Sequence, residues 1–367
     1  MGLGGPEARG RVAYLDGVRA VAILAVLGVH WVNPYLPLAP GGYIGVDIFF
    51  VLSGYIITRI LWLGAKREDS GVWLQYRRFM RQRVRRLYPA LTAFIAVSLA
   101  VIAITEPGIL ERCAIDGSIA AGQGMAIYLG IGGDGAVPFG HTWSLANEWY
   151  FYALWPVFVL WAAKRRVEAA HVARWALAAA AALYVASFSS SPEWFYFGPV
   201  SRFAEILVGA AAALWLYANP QARLGVRAAT ILTLIGFVAA IAWTVLGSHE
   251  FSPFYRFLGY PIAIASALCL IIPGALSAPG LATRVLSWPP CTYLGRISYS
   301  LYLWHLLPLQ ILDKDELPGV SILVIATAGV MSAMLATLLS YYLVEKPFIR
   351  SRSSALEIGD GSRGRHR

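Results

Sequence analysis

Apolar residues come in blocks of about twenty, and polar residues collect in the gaps between them. Such blocks lie near 14–33, 42–63, 88–105, 142–163 and 171–189, and again near 200–217, 227–247, 257–274, 294–312 and 319–343. An α-helix rises about 1.5 Å per residue, so each block matches the roughly 30 Å hydrocarbon thickness of a bilayer. The pattern predicts ten transmembrane helices. A further stretch at 114–131 is interrupted by Asp116, Gly117, Gly122, Gln123 and Gly124 and reads as a re-entrant or interfacial piece.

The gaps alternate in charge. No Lys or Arg separates the first two blocks, whereas Lys66, Arg67, Arg77, Arg78, Arg81, Arg83, Arg85 and Arg86 separate the second from the third. Lys164, Arg165, Arg166 and Arg174 follow the fourth block, and Arg223 and Arg227 follow the sixth. Basic residues gather on the cytoplasmic side of membrane proteins. The alternation fits ten spans with both termini cytoplasmic; counting 114–131 as a crossing would put the Lys164–Arg174 cluster outside. The expected fold class is therefore all-α, a polytopic transmembrane bundle in the cell membrane. Residues 12–349 form the membrane domain, with short cytoplasmic tails at 1–11 and 350–367. No cleavable signal and no internal repeat are visible.

Composition agrees. Charged residues are 14% of the 367 and AVILMFWYC 58%, against about 25% charged in soluble proteins. That leaves too little polar surface to coat a water-soluble globule. A soluble enzyme, a secreted mini-domain and a DNA binder are excluded. The net charge of +10 is topology, not a nucleic-acid surface. Cys113, Cys269 and Cys291 share no metal or disulfide spacing, so no metal site is expected.

Hydrocarbon makes charge costly, so ionisable residues within spans are functional candidates. Arg19 and His30 in the first span are eleven residues apart, close to three turns, and share a face. Asp16 lies one turn from Arg19 and can pair with it. His30 taken alone reads equally well as a packed interfacial histidine. Asp47 enters the second span among Gly45, Ser53 and Gly54, small residues that suit close helix packing. His141, Ser144 and Glu148 fall on one face of the fourth span. Arg202 and Glu205 either neutralise each other or meet a substrate, and His305 is a second intramembrane histidine, nine residues above Arg296. His30, Asp47, Glu148, Arg202 and His305 are expected to converge on one polar cavity. Arg83 and Arg86, one turn apart, suit phosphate groups. An outer histidine and a cytoplasmic phosphate site suggest an elongated ligand of the coenzyme A thioester type.

YLDGVRAVAILAVLGVHW, GVDIFFVLSGYIIT, RQRVRRLYPAL, HTWSLANEWYFYALWP, LGRISYSLYLWH and YYLVEKPF resemble, in order, the blocks of the acyltransferase 3 family of integral membrane O-acyltransferases. The resemblance covers residues 14–349. It implies transfer of a short acyl group, acetyl most of all, from cytoplasmic acyl-CoA to a hydroxyl, mostly on carbohydrate. It also implies that His30 is the essential histidine, Arg19 its paired arginine, and Arg83 and Arg86 donor-side residues. Glu148 and His305 fall in blocks of less settled role. A stand-alone member without a fused hydrolase-like domain is expected, acting on a surface polysaccharide or a macrolide-type sugar. Asn147-Glu148-Trp149 departs from the double-glutamate pattern of domain-fused members.

The chemistry needs a base for the hydroxyl. His30 suits it, oriented by Asp47 or Glu148, and an acyl-histidine intermediate is equally open. Intramembrane His, Asp, Glu and Arg also build proton-coupled transporters and flippases, which is the competing class.

Overall fold

The computed structural model describes residues 6–67, 70–135, 138–278, 280–312 and 320–348. Among the described residues the fold is all-α, with one isolated bridge between Leu224 and Ser277 and no strand. The helices are α1 (Pro6–Leu27), α2 (Ile44–Arg67), α3 (Val72–Thr105), α4 (Leu110–Ala121), α5 (Met125–Gly130), α6 (Trp143–Lys164), α7 (Ala169–Ser187) and α8 (Pro192–Phe197). They continue with α9 (Pro199–Ala218), α10 (Val226–Leu246), α11 (Tyr260–Leu276), α12 (Leu281–Leu286), α13 (Pro289–Trp304), α14 (Leu307–Ile311) and α15 (Ile322–Leu339). Helix α1 starts within the expected N-terminal tail; residues 1–5 and 349–367 lie outside the described residues.

Eight of these helical stretches are long and apolar enough to cross a membrane. Of the two further expected crossings, 142–163 is a continuous helix and 294–312 is broken. Helix α6 has the length, 22 residues, but Asn147, Glu148 and its tryptophans and tyrosines dilute its hydropathy. Helix α13 ends after 16 residues at Trp304, because Pro308 has no N–H to give the Trp304 carbonyl. The chain breaks at His305 and resumes as α14. The interrupted stretch 114–131 becomes α4 and α5, of 12 and 6 residues, both too short to cross.

Helix α3 was expected from residue 88 but begins at Val72 and runs for 34 residues, about 50 Å. That exceeds the bilayer core, so its arginine-rich first half extends beyond the hydrocarbon. Arg77, Arg78, Arg81 and Arg85 are exposed, while Arg83 and Arg86 turn inward.

Helix α9 packs most extensively, against α2 and equally against α7, and α1 lies on α13. The α2–α9 crossing depends on glycine: a Cβ on Gly54 would strike the Ile206 carbonyl, and one on Gly209 the Val51 carbonyl. Close backbone approach lets dispersion, rather than water exclusion, hold the helices together in lipid. Outward faces carry bare apolar side chains such as Ile104, Val185, Leu246 and Leu323, as a lipid-facing surface requires.

Among the described residues, three helix ends carry π-turns, at Gly28–Val32, Tyr255–Gly259 and Ser340–Glu345. Such turns insert one residue per repeat and recur at functional sites. Each of the three carries a polar residue that points inward.

Gly54→Val should cost about 1–3 kcal/mol by overpacking, read as a fall in the thermal midpoint in detergent. Gly64→Ala, where an added Cβ meets nothing within 4 Å, should leave the midpoint unchanged or raise it. Equal effects at both positions would refute the close α2–α9 approach.

Candidate active site

His30 sits in the π-turn at the end of α1, and His305 in the break between α13 and α14. The two imidazoles meet: Nε2 of His305 is 3.2 Å from Nδ1 of His30. Hydrogen positions follow from the neighbours. Nδ1 of His305 lies 2.7 Å from the Tyr302 carbonyl oxygen, and a carbonyl only accepts, so Nδ1 carries the hydrogen. Neutral His305 then presents a lone pair at Nε2, and Nδ1 of His30 must donate to it. The lone pair of neutral His30 is thereby assigned to Nε2, the tautomer a general base needs. Trp31 Nε1 donates to the His305 carbonyl at 2.9 Å, tying the two segments together.

His141 completes a row of three imidazoles, its ring centroid 5.2 Å from that of His305. Among the described residues, no group of His, Cys, Asp or Glu has an arrangement able to hold a metal. His30 itself is half-buried, with Tyr43 edge-on at 6.4 Å. Beside Tyr43, in the loop before the Tyr255 π-turn, burial pushes the Glu250 carboxyl above its ordinary range while the Tyr43 hydroxyl bonds to it.

A second constellation lies toward the start of α1. Arg19, Arg83, Arg86 and Arg296 border a cavity of about 100 Å³ with Glu148 as its carboxylate. Arg19 also bonds Asp16 at 3.3 Å. Glu148 accepts from Ser53 and, at 2.6 Å, from the Tyr152 hydroxyl. Arg83 stacks over the rings of Phe79 and Tyr152. At the far end the Tyr302 hydroxyl donates to the His141 carbonyl at 2.7 Å and takes a hydrogen bond from Ser144 at 2.7 Å. His30 does not line this cavity. Ser144 and Tyr302 line the cavity, and the His141 carbonyl that Tyr302 bonds belongs to the row of imidazoles.

The third constellation is sealed. Arg202 is fully buried, with Nη1 2.8 Å from both Asp47 and Glu205. The Tyr255 hydroxyl, supplied by the second π-turn, lies 2.8 Å from Asp47 and 3.0 Å from Arg202. Arg202 Nε donates to the Tyr196 carbonyl at 2.6 Å, and its face lies over the Tyr196 ring at 4.6 Å. Aromatic walls and carboxylates stand in for much of the hydration shell, while Arg202 Nη2 and Glu205 Oε2 find no hydrogen-bond partner.

The expected single cavity is therefore three sites. Asp47 does not orient His30, because Arg202 and Tyr255 take its oxygens. Glu148 does not either, because Ser53 and Tyr152 hold it among the arginines. The ring that His30 meets is that of His305.

The model of an acyltransferase domain family matches residues 12–342. The chain is a member of the acyltransferase 3 family. Among curated relatives, YrhL of Bacillus subtilis, a candidate peptidoglycan O-acetyltransferase, is 32% identical, over 91% of this chain and 54% of its own length. The peptidoglycan O-acetyltransferase OatA of Listeria monocytogenes is 30% identical, over 80% of this chain and 49% of its own. A candidate O-acetyltransferase of Staphylococcus aureus is 26% identical over 93% and 58%. The chain thus spans about half the length of these family members. No solved structure matches it.

Sequence reading missed several participants. Tyr302 stands one turn before His305, and Arg296 in the same block, so helical spacing could have included both. Glu345, which accepts from Ser300 at 2.9 Å, sits in the closing family block. Tyr255 had no signal, since only a π-turn aims it at Asp47.

Arg202→Met should destabilise strongly, by about 3–5 kcal/mol, by leaving two carboxylates facing each other in a dry site. Asp47→Asn should cost clearly less, because Arg202 keeps Glu205. Thermal unfolding of the two variants in detergent checks the order; equal losses would contradict the shared-guanidinium arrangement.

Proposed function

We propose that this chain is a membrane O-acyltransferase that moves a short acyl group, acetyl foremost, from acyl-CoA to a carbohydrate hydroxyl, with His30 as the general base. The His30–His305 pair carries the reading: a buried neutral imidazole fixes the tautomer of a second, half-exposed one, whose free lone pair faces away from the pair. Family membership supports acyl transfer. The names of the Bacillus and Listeria relatives support a cell-wall glycan, peptidoglycan or its precursors, as acceptor, with the multi-pass bundle in the cell membrane.

In the proposed reaction the acceptor hydroxyl gives its proton to His30 Nε2 while its oxygen attacks the thioester carbonyl. A C–O bond forms, the C–S bond breaks, and the departing coenzyme A thiolate takes the proton back from the imidazolium. Base assistance of this kind contributes roughly 10²–10⁴ in rate. The guanidinium groups of Arg83 and Arg86 suit the donor's phosphates, and Arg19 the end of the pantetheine arm. A cavity of about 100 Å³ holds only the acyl end of such a donor, so the nucleotide stays outside, along the arginine-rich half of α3. His30 does not line this cavity, so transfer requires the acyl end to pass the wall that Ser144 and Tyr302 help to form.

Purified protein given radiolabelled acetyl-CoA and peptidoglycan fragments should form labelled ester and release free coenzyme A in equal amounts. His30→Ala should lower kcat by about 10²–10⁴ with the fold intact. His305→Ala should lower kcat with little change in donor KM, because the tautomer is lost and not the donor site. Arg83→Ala/Arg86→Ala should raise donor KM. Full activity in His30→Ala, or substrate crossing vesicles without thiol release, would overturn the proposal; the latter would make the protein a transporter.

A further inference from the structure

A cavity of about 930 Å³ opens on the other face of α2 from the four-arginine site, between α2, α9, α11 and the start of α7. Arg59, Lys66, Arg166 and Arg223 all border it. None of the four is ion-paired to a carboxylate among the described residues. The one carboxylate on its wall, Glu168, is 3.3 Å from His171. The walls also carry aromatic surface: Trp62 lies under the Lys66 ammonium at 5.4 Å and edge-on to Tyr217 at 6.0 Å.

Arg166 adds an independent observation. Helix α6 ends in a pair of hydrogen bonds, Val167 N–H to the Ala162 carbonyl and Arg166 N–H to the Ala163 carbonyl. This ending puts its penultimate residue in the left-handed region, where glycine is favoured. Arg166 sits there with φ 56°. An arginine is thus held where a glycine folds better, and its side chain borders the cavity. The positive-inside bias accounts for cations in this loop, but not for four of them converging on one concavity, nor for one at a strained position.

We propose that this cavity is a binding site for a phosphate-bearing ligand, with the four cations on the phosphate and the Trp62–Tyr217 wall on an apolar or aromatic attachment. A volume near 930 Å³ matches a ligand-sized pocket. Two sources share this chemistry, an anionic phospholipid headgroup and a soluble phosphate compound. The site is independent of the acyl-transfer reading, because it uses none of the residues assigned to that reaction.

The test uses the full chain, purified in detergent and in nanodiscs. One arm measures by native mass spectrometry the retention of phosphatidylglycerol over phosphatidylcholine. The other measures pyrophosphate and ADP binding by calorimetry at low and high salt. Wild type should show affinity in at least one arm, weakening with ionic strength, and the arm that responds identifies the source. Arg59→Gln/Arg166→Gly/Arg223→Gln should lose about tenfold or more. Arg166→Gly alone should lose several-fold while its thermal midpoint holds or rises, since glycine relieves the left-handed backbone. The single variant keeps the test valid if the triple one does not fold. No binding in either arm, or binding unchanged in Arg166→Gly, would overturn the proposal.

Discussion

A guanidinium group in hydrocarbon has no water to fall back on, so the protein must supply its partners. Arg202 is the extreme case: a fully buried cation with two carboxylates, a phenol, a backbone carbonyl and an aromatic ring around it. Its partners come from α2, α8, α9 and the π-turn before α11, so ion pairing and helix packing are one event there. Gly54 and Gly209 bring α2 and α9 close enough for Asp47 and Arg202 to meet. Were the backbones held apart by a side chain, the charge would be stranded at a cost of several kcal/mol.

The same demand shapes the helix ends. An α-helix distributes side chains at a fixed angular step, and that step does not always bring a polar group to its partner. Each π-turn resets the phase. The first delivers His30 to His305, the second Tyr255 to Asp47, and the third Glu345 to Ser300. The break at His305, forced by Pro308, has a comparable effect: it frees the imidazole to bond the Tyr302 carbonyl with one nitrogen and His30 with the other. A continuous helix would have left that ring on a packing surface.

Helix α3 shows how one sequence block serves two masters. Four of its arginines face outward and satisfy the positive-inside bias, while Arg83 and Arg86 rotate into the bundle toward Glu148. Placing them beside Arg19 and Arg296 concentrates positive charge around a cavity whose wall carries one carboxylate, Glu148. Such a cavity favours an anion, and the hydrogen-bonded Ser144–Tyr302 pair forms part of its wall.

Sequence alone determined the solvent, the fold class, the family and most of the polar residues that meet inside the bundle. Apolar runs of bilayer length, sparse charge and alternating basic loops admit only a helical membrane bundle, and His30, Arg19, Arg83, Arg86 and His305 stand out wherever lipid makes polarity expensive. Sequence could not say which of these residues meet. Asp47 and Glu148 were both credible partners for His30, since each is an acid near the expected depth; packing gave the first to Arg202 and the second to Ser53 and Tyr152. The length of α3 was hidden because arginines read as loop until a helix is seen to carry them past the membrane. The tautomer of His30 was equally invisible: it follows from a carbonyl 2.7 Å from His305, and such a distance exists only once α1 and α13 lie side by side. Residue type sets what a side chain can do, and tertiary contact sets which lone pair is left free to do it.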